Sequence, residues 1–194
     1  MVKIGLTGNI GSGKTFVCQL FEALGVPVFY ADLEARAILN HPRTLPLLTK
    51  EFGNEIINDN LSIDRKKLAG IVFNNPEKLQ VLNGIIHPQL FRNFIIWALE
   101  QTPKPYVIME AAILFESGFQ QFVDKTVFIS APADIRIQRV IQRDGMTRQE
   151  VEERMKNQLS DAQKESLSDF VISNDEQTML LPQIINLHHL FNSL

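Results

Sequence analysis

Two hydrophobic rhythms alternate along the chain. Short apolar runs of strand length stand at Val2–Thr7, Val26–Tyr30, Tyr106–Glu110, Thr126–Ser130 and Asp169–Ser173. Between them, apolar residues recur at three- and four-residue spacing, the signature of helices with one buried face. The first such stretch runs from about Thr15 to Leu24 and stops at Gly25, a residue suited to ending a helix. A second run, Leu33–Leu39, follows Ala31-Asp32, which closes the second strand. Strand followed by helix, repeated, predicts an α/β fold with a parallel sheet. The Tyr106–Glu110 run is almost continuously apolar, as expected of a strand covered on both faces.

From Asn40 to about Pro105 the strand rhythm is lost. Helices are predicted over 44–52, 64–73, 76–86 and 88–100, with Asp64 and Asn75 as starters and Pro76 at a first helical position. This block, about 40–105, reads as a helical insertion that binds the acceptor, within a single domain spanning 1–194. Beyond it, Pro132–Arg143 and Arg148–Leu159 read as two charged helices joined by Asp144-Gly145-Met146-Thr147, a helical lid over about 132–165. Apolar positions 180, 181, 184, 185, 187, 190 and 191 predict a last helix packed on the core.

Composition narrows the class. A chain of 194 residues, 45% of them hydrophobic, can bury a full core. The net charge is −3 and the pI about 5.8, which argues against a nucleic-acid partner. No apolar stretch is long enough to span a membrane, and Met1 leads directly into a strand without a signal peptide. One cysteine, Cys18, falls within the first helix as a small core residue and suits a reducing compartment. The expectation is a cytoplasmic protein, monomeric, acting on a small molecule.

The chemistry enters at Gly8–Thr15, Gly-Asn-Ile-Gly-Ser-Gly-Lys-Thr, which matches the phosphate-loop pattern between a strand and a helix. Glycines 8, 11 and 13 let the backbone bring its N–H groups close to a ligand. The helix that follows aims its unpaired N–H groups and positive dipole end at phosphates. Lys14 adds a mobile cation, and the Thr15 hydroxyl is the expected Mg²⁺ ligand. The chain is therefore read as binding a nucleoside triphosphate.

Other residues gain meaning from that loop. Asp32, at the end of the second strand, falls on the edge of the sheet where ligands bind, and suits a general base toward an acceptor hydroxyl, or a helix cap. Glu110 ends the third strand and suits either a role in holding Mg²⁺ or a polar strand end. Arg136, Arg139 and Arg143 share one helix face, and Arg148 and Arg154 follow. Cations on a closing lid accelerate phosphoryl transfer by about 10³–10⁵ in the strongest cases, whereas the same spacing also describes a solvated face. The pattern does not choose among these arginines. His87-Pro88 stands at a predicted helix start, where the imidazole can meet an anion or cap the helix. His41 falls in a loop, and His188 and His189 lack metal-binding partners at suitable spacing.

Taken in order, these pieces resemble the dephospho-coenzyme A kinase family. The likeness rests on Ile4–Thr15, Tyr30-Ala31-Asp32, His87-Pro88, Ile113-Leu114-Phe115-Glu116, Gln142-Arg143-Asp144 and Asp169–Asn174. It implies a three-layer, parallel-sheet P-loop kinase fold and transfer of the ATP γ-phosphoryl group to the ribose 3′-hydroxyl of dephospho-CoA. Gly11, Ser12, Gly13, Lys14, Thr15, Phe16 and Asn174 would then hold ATP, with Asn174 on the adenine side. Asp32 would be the catalytic base, assisted by Lys14, Arg139 and Arg143. His87, Leu114 and Phe115 would line the acceptor, and Thr15, with Glu110, the metal. Three positions depart from the family pattern: Asn9 replaces a glycine, Thr15 a serine, and Glu110-Ala111-Ala112 an Asp-x-Pro. A nucleoside monophosphate kinase or another small-molecule kinase shares the loop and lid. A guanine-nucleotide switch would need an Asn-Lys-x-Asp segment, which the chain lacks.

Overall fold

The structure, a computed structural model, describes residues 1–72 and 75–194. Its contacts divide the chain into two compact units, Met1–Tyr30 with Ala98–Leu194, and Ala31–Trp97.

The first unit is built on a parallel sheet of β1 (Val2–Thr7), β2 (Val28–Tyr30), β3 (Tyr106–Glu110), β4 (Lys125–Ser130) and β5 (Phe170–Ser173), in the order β2-β3-β1-β4-β5. β1 lies centrally between β3 and β4, and every residue of β3 is buried, as its unbroken apolar run requires. Helix α1 (Lys14–Ala23) turns its buried Val17, Cys18 and Phe21 onto the sheet. It ends at Gly25, whose φ of 80° lets its N–H reach the Glu22 carbonyl. Helix α9 (Leu180–Asn192) adds Ile184 and Phe191 to the same core. Each aliphatic side chain fully buried there contributes roughly 1.5–3 kcal/mol. Burial and the nearby Glu110 carboxylate push the Cys18 thiol pKa far above its ordinary value.

The segment expected to form a lid contains α6 (Ala133–Asp144), α7 (Arg148–Lys156) and α8 (Asp161–Leu167). Gly145 closes α6 in the left-handed conformation, and Thr147 with Glu150 forms a capping box at the start of α7. The expected second lid helix, Arg148–Leu159, stops at Lys156; α8 was not expected, although Ser160 and Gln163 carry the capping-box pattern that starts it. Ile137, Val140 and Val151 make a small core of their own, against which Ile10 of the glycine loop packs.

The second unit comprises α2 (Ala31–Leu39), α3 (Leu45–Phe52), α4 (Arg65–Val72) and most of α5 (Pro76–Glu100). Leu48, Phe52, Ile56, Ile63, Leu68 and Val72 form its core. The helix expected over 64–73 is present from Arg65, with the Asp64 carboxylate accepting from the Lys66 and Lys67 amides; Phe73 lies outside the described residues.

Two expectations are corrected. Asp32 does not end β2: the strand stops at Tyr30, and Asp32 is the second residue of α2. A carboxylate in a first helical turn is favoured by the macrodipole. The helices expected over 76–86 and 88–100 are one helix with Pro88 inside, so His87 sits in mid-helix rather than at a start. Proline deprives the Gly84 carbonyl of its helical donor, and a long apolar helix tolerates that loss where packing holds both halves.

Candidate nucleotide and acceptor sites

The glycine loop leaves β1 at Thr7 and enters α1 at Lys14. Gly11 and Gly13 adopt φ values of 79° and 91°, a region costly for side chains. Both are also hemmed in: a Cβ on Gly11 would collide with the Arg136 carbonyl oxygen, and one on Gly13 with the Asn174 amide nitrogen. The loop is thus formed by backbone alone, with its outer surface pinned by side chains. Asn174 Nδ2 donates to the Ser12 carbonyl at 2.7 Å, and Arg139 Nη1 to the Gly11 carbonyl at 3.5 Å. Arg139 also reaches Asn174 Oδ1 at 3.4 Å and pairs with Glu176 at 3.0 Å. Ser12 itself is buried.

Lys14 Nζ donates to the Gly8 carbonyl at 2.7 Å and lies 4.0 Å from Glu110 Oε1. Glu110, 7% exposed, ends β3 at the carboxyl edge of the sheet, the edge from which the loop springs. Loop, Lys14, Glu110, Arg139 and Asn174 therefore come together in one place. Thr15 and Phe16 lie exposed in the first turn of α1. Arg143 is not drawn in: it is bound side-on to its neighbour Asp144, with both nitrogen–oxygen distances 2.8 Å, on the surface.

Leu114 and Phe115 sit differently from an open acceptor wall. Leu114 is fully buried, its methyls against Gly5 of β1. Phe115 lines a cavity of about 290 Å³ with Lys125, Thr126, Leu159, Leu167 and Asp169, beside the first residues of β4.

In the helical unit, Asp32 is exposed on α2 and His87 half-buried on α5. Burial lowers the His87 pKa from its ordinary value, favouring the neutral imidazole. A cavity of about 670 Å³ opens beside Pro88 and Gly84, walled by Leu47 and Ile85 and edged by His41, Arg43 and Arg92. Its polar rim includes Gln89 and Asn93, held by Thr44 and Glu34 respectively. Among the described residues no acidic one lines it.

Sequence reasoning missed the residues that hold the loop from outside, Gln158 and Asp161, and the buried Lys164 behind them. Asn9 donates to the Leu159 carbonyl at 3.0 Å and to Asp161 Oδ1 at 2.6 Å. Lys164, fully buried, pairs with Glu116 at 2.9 Å and donates to the Ala112 carbonyl at 2.8 Å. Burial lowers the Lys164 pKa, opposed by its bond to Glu116. The oddity of Asn9 at a glycine position was the signal available.

Comparisons with known proteins identify the family. A family model described as dephospho-CoA kinase matches residues 2–179. A dephospho-CoA kinase of Bacteroides fragilis is 36% identical over 190 residues, covering 96% of this chain and 91% of the relative. One from Fusobacterium nucleatum is 39% identical over 172 residues, covering 89% of each. The crystal structure of TT1252 from Thermus thermophilus superposes with a TM-score of 0.85 at 31% identity, covering 100% of this chain and 97% of that one. A dephospho-CoA kinase from Campylobacter jejuni shares the fold with a TM-score of 0.69 at 23% identity, over 98% and 97% of the two chains. A sheet edge bearing a glycine cradle, a lysine and a buried carboxylate, in a chain matched almost end to end by one family of kinases, leaves a single assignment: the chain belongs to the dephospho-CoA kinase family.

Proposed function

We propose that the chain binds ATP with Mg²⁺ in the loop at Gly8–Thr15 and transfers the γ-phosphoryl group to the ribose 3′-hydroxyl of dephospho-CoA, giving CoA and ADP. The observation that carries this reading is the loop itself, whose two left-handed glycines have no room for a side chain. Amides at the start of α1 cradle the phosphates. Lys14 exchanges the Gly8 carbonyl for a phosphate oxygen and follows the transferring group. Phe16 flanks the nucleotide, while Asn174 keeps the Ser12 carbonyl turned outward.

A Mg²⁺ ion fits the donor set. Thr15 and Glu110 offer oxygen alone, and among the described residues no cluster of His, Cys, Asp or Glu forms a complete metal site. The remaining ligands of a hard octahedral cation would be phosphate and water oxygens. When bound, the ion supplies charge neutralisation on the phosphates.

Asp32 takes the proton of the acceptor hydroxyl as the new O–P bond forms and the bond from the γ-phosphorus to the β,γ-bridging oxygen breaks. ADP carries away the electron pair. Arg139, already fastened to the loop, neutralises the developing charge, and Arg143 joins it if it releases Asp144. The helical unit binds the acceptor: His87 contacts it, and the cavity edged by Arg43 and Arg92 suits its diphosphate beside an apolar arm. Leu114 and Phe115 are assigned to the acceptor side by the family likeness.

A coupled ADP-release assay with ATP, Mg²⁺ and dephospho-CoA tests the reaction. The expected product gains one phosphoryl group by mass, with its ³¹P signal at the ribose 3′ position. Absence of transfer to this acceptor overturns the proposal.

A further inference from the structure

The outer rim of the phosphate loop is tied to the foot of the lid through side chains that no step above uses. Asn9 is 4% exposed, although it stands within a loop that faces a ligand. Its amide nitrogen donates twice, to the Leu159 carbonyl at 3.0 Å and to Asp161 Oδ1 at 2.6 Å. The next amide, Ile10 N–H, donates to Gln158 Oε1 at 2.9 Å, and the Ile10 side chain packs into the lid's own core. Three hydrogen bonds from two successive loop residues therefore run to residues 158–161.

Asp161 is the hub. Its Oδ1 takes Asn9, and its Oδ2 takes Arg136 Nη2 at 2.7 Å. Arg136 is 3% exposed and is further fixed by its Nε bond to the Ala131 carbonyl at 3.0 Å. The Arg136 carbonyl in turn occupies the space beside Gly11 that a Cβ would need. One carboxylate thus joins both flanks of the loop: Asn9 directly, and Gly11 through the helix that carries Arg136. The segment is anchored behind as well, since the Leu159 amide donates to Glu116 Oε1 at 2.9 Å and Glu116 holds Lys164. Charge-assisted bonds of this kind in a poorly solvated setting are among the stronger side-chain contacts.

A purely structural ion pair would need only Arg136 and Asp161. The buried amide of Asn9 adds nothing to that pair's charge balance, and its Oδ1 is left buried without a partner among the described residues, as is Arg136 Nη1. A glycine at position 9 would avoid that cost. What the asparagine does is fix the loop.

We infer that Asn9 and Asp161 are positioning residues that latch the phosphate loop to the foot of the lid and hold it in its nucleotide-ready shape. The inference rests on the reading of this loop as the ATP site. If the latch selects the competent shape, breaking it lowers the competent fraction, and apparent nucleotide affinity falls in proportion.

The variant Asn9→Gly removes only the side chain. It is expected to weaken ADP binding, measured by calorimetry, by about tenfold and to raise KM for ATP similarly, with KM for dephospho-CoA unchanged. Asp161→Asn, which keeps an acceptor for Asn9 but loses the charge, should show a smaller effect. In the double variant Asn9→Gly/Asp161→Asn, the loss should be less than the product of the two single losses. Equal ADP affinity in wild type and Asn9→Gly overturns the latch. So does an equal rise in both KM values or strict multiplicativity in the double variant, either of which marks a general structural role. A wild-type protein that binds no ADP overturns the loop reading beneath it, a failure distinguishable from the other because it appears before any substitution is made.

Discussion

In the sheet unit, the groups shaped for a ligand are backbone atoms of Gly11 to Thr15, and side chains such as Asn174, Arg139 and Asn9 hold them from outside. In the helical unit, the candidates are side chains projected from helices: Asp32 from α2, His87 from α5, Arg43 and Arg92 around a cavity. The first kind of site tolerates no Cβ at Gly11 or Gly13, and as proposed it would read what all nucleotides share, a string of phosphates. The second, on the proposed reading, would take its specificity from identities scattered along the chain from Asp32 to Arg92. The proposed function thus assigns recognition of the donor and recognition of the acceptor to different kinds of group.

The sharpest way to break that separation is Asp32→Asn. Turnover should fall by about 10²–10⁴, the usual worth of a general base, while ADP affinity measured by calorimetry stays within twofold. A parallel loss of nucleotide affinity would erase the contrast. Lys14→Ala is the reciprocal case: a fall in kcat of about 10²–10³ with weakened ADP binding, and dephospho-CoA affinity untouched. Leu48→Ala removes a fully buried side chain from the helical core. It should cost about 2–5 kcal/mol, and amide exchange should quicken in α3 and α4 more than in β1 and β3.

The smallest effect concerns His87. Its pKa is held below the ordinary 6.5 by burial, so the unfolded chain binds this proton more readily than the folded one. Stability associated with the neutral ring is complete above about pH 6.5 and declines as pH falls through the folded-state value. Urea midpoints measured between pH 7.5 and 5 should therefore drop less for His87→Gln than for wild type. Identical slopes would mean that the imidazole is equally solvated in both states.

How much of this was legible in the sequence follows the same division. The glycine loop could be read outright because a backbone cradle needs its residues in succession, and β1, β3 and α9 followed from simple hydrophobic periods. Pro88 misled, because a proline's local preference for a helix start gave way to the packing of one long helix. Asp32 was placed one element early, since Val28-Phe29-Tyr30 ends where α2 begins without an intervening turn. The link from Asn9 to Asp161 spans 152 positions, and no periodicity encodes a contact across such a distance. Ser160 and Gln163 did announce α8 locally, but not that the helix would carry the partner of Asn9.

Cys18 lies on α1, the helix that begins inside the loop, with its thiol sealed in the sheet core and disfavoured from ionising by burial and by Glu110. Only the thiolate reacts readily with electrophiles and oxidants. The native molecule is consequently chemically silent at its single thiol, and any alkylation at Cys18 reports a molecule that has already come apart.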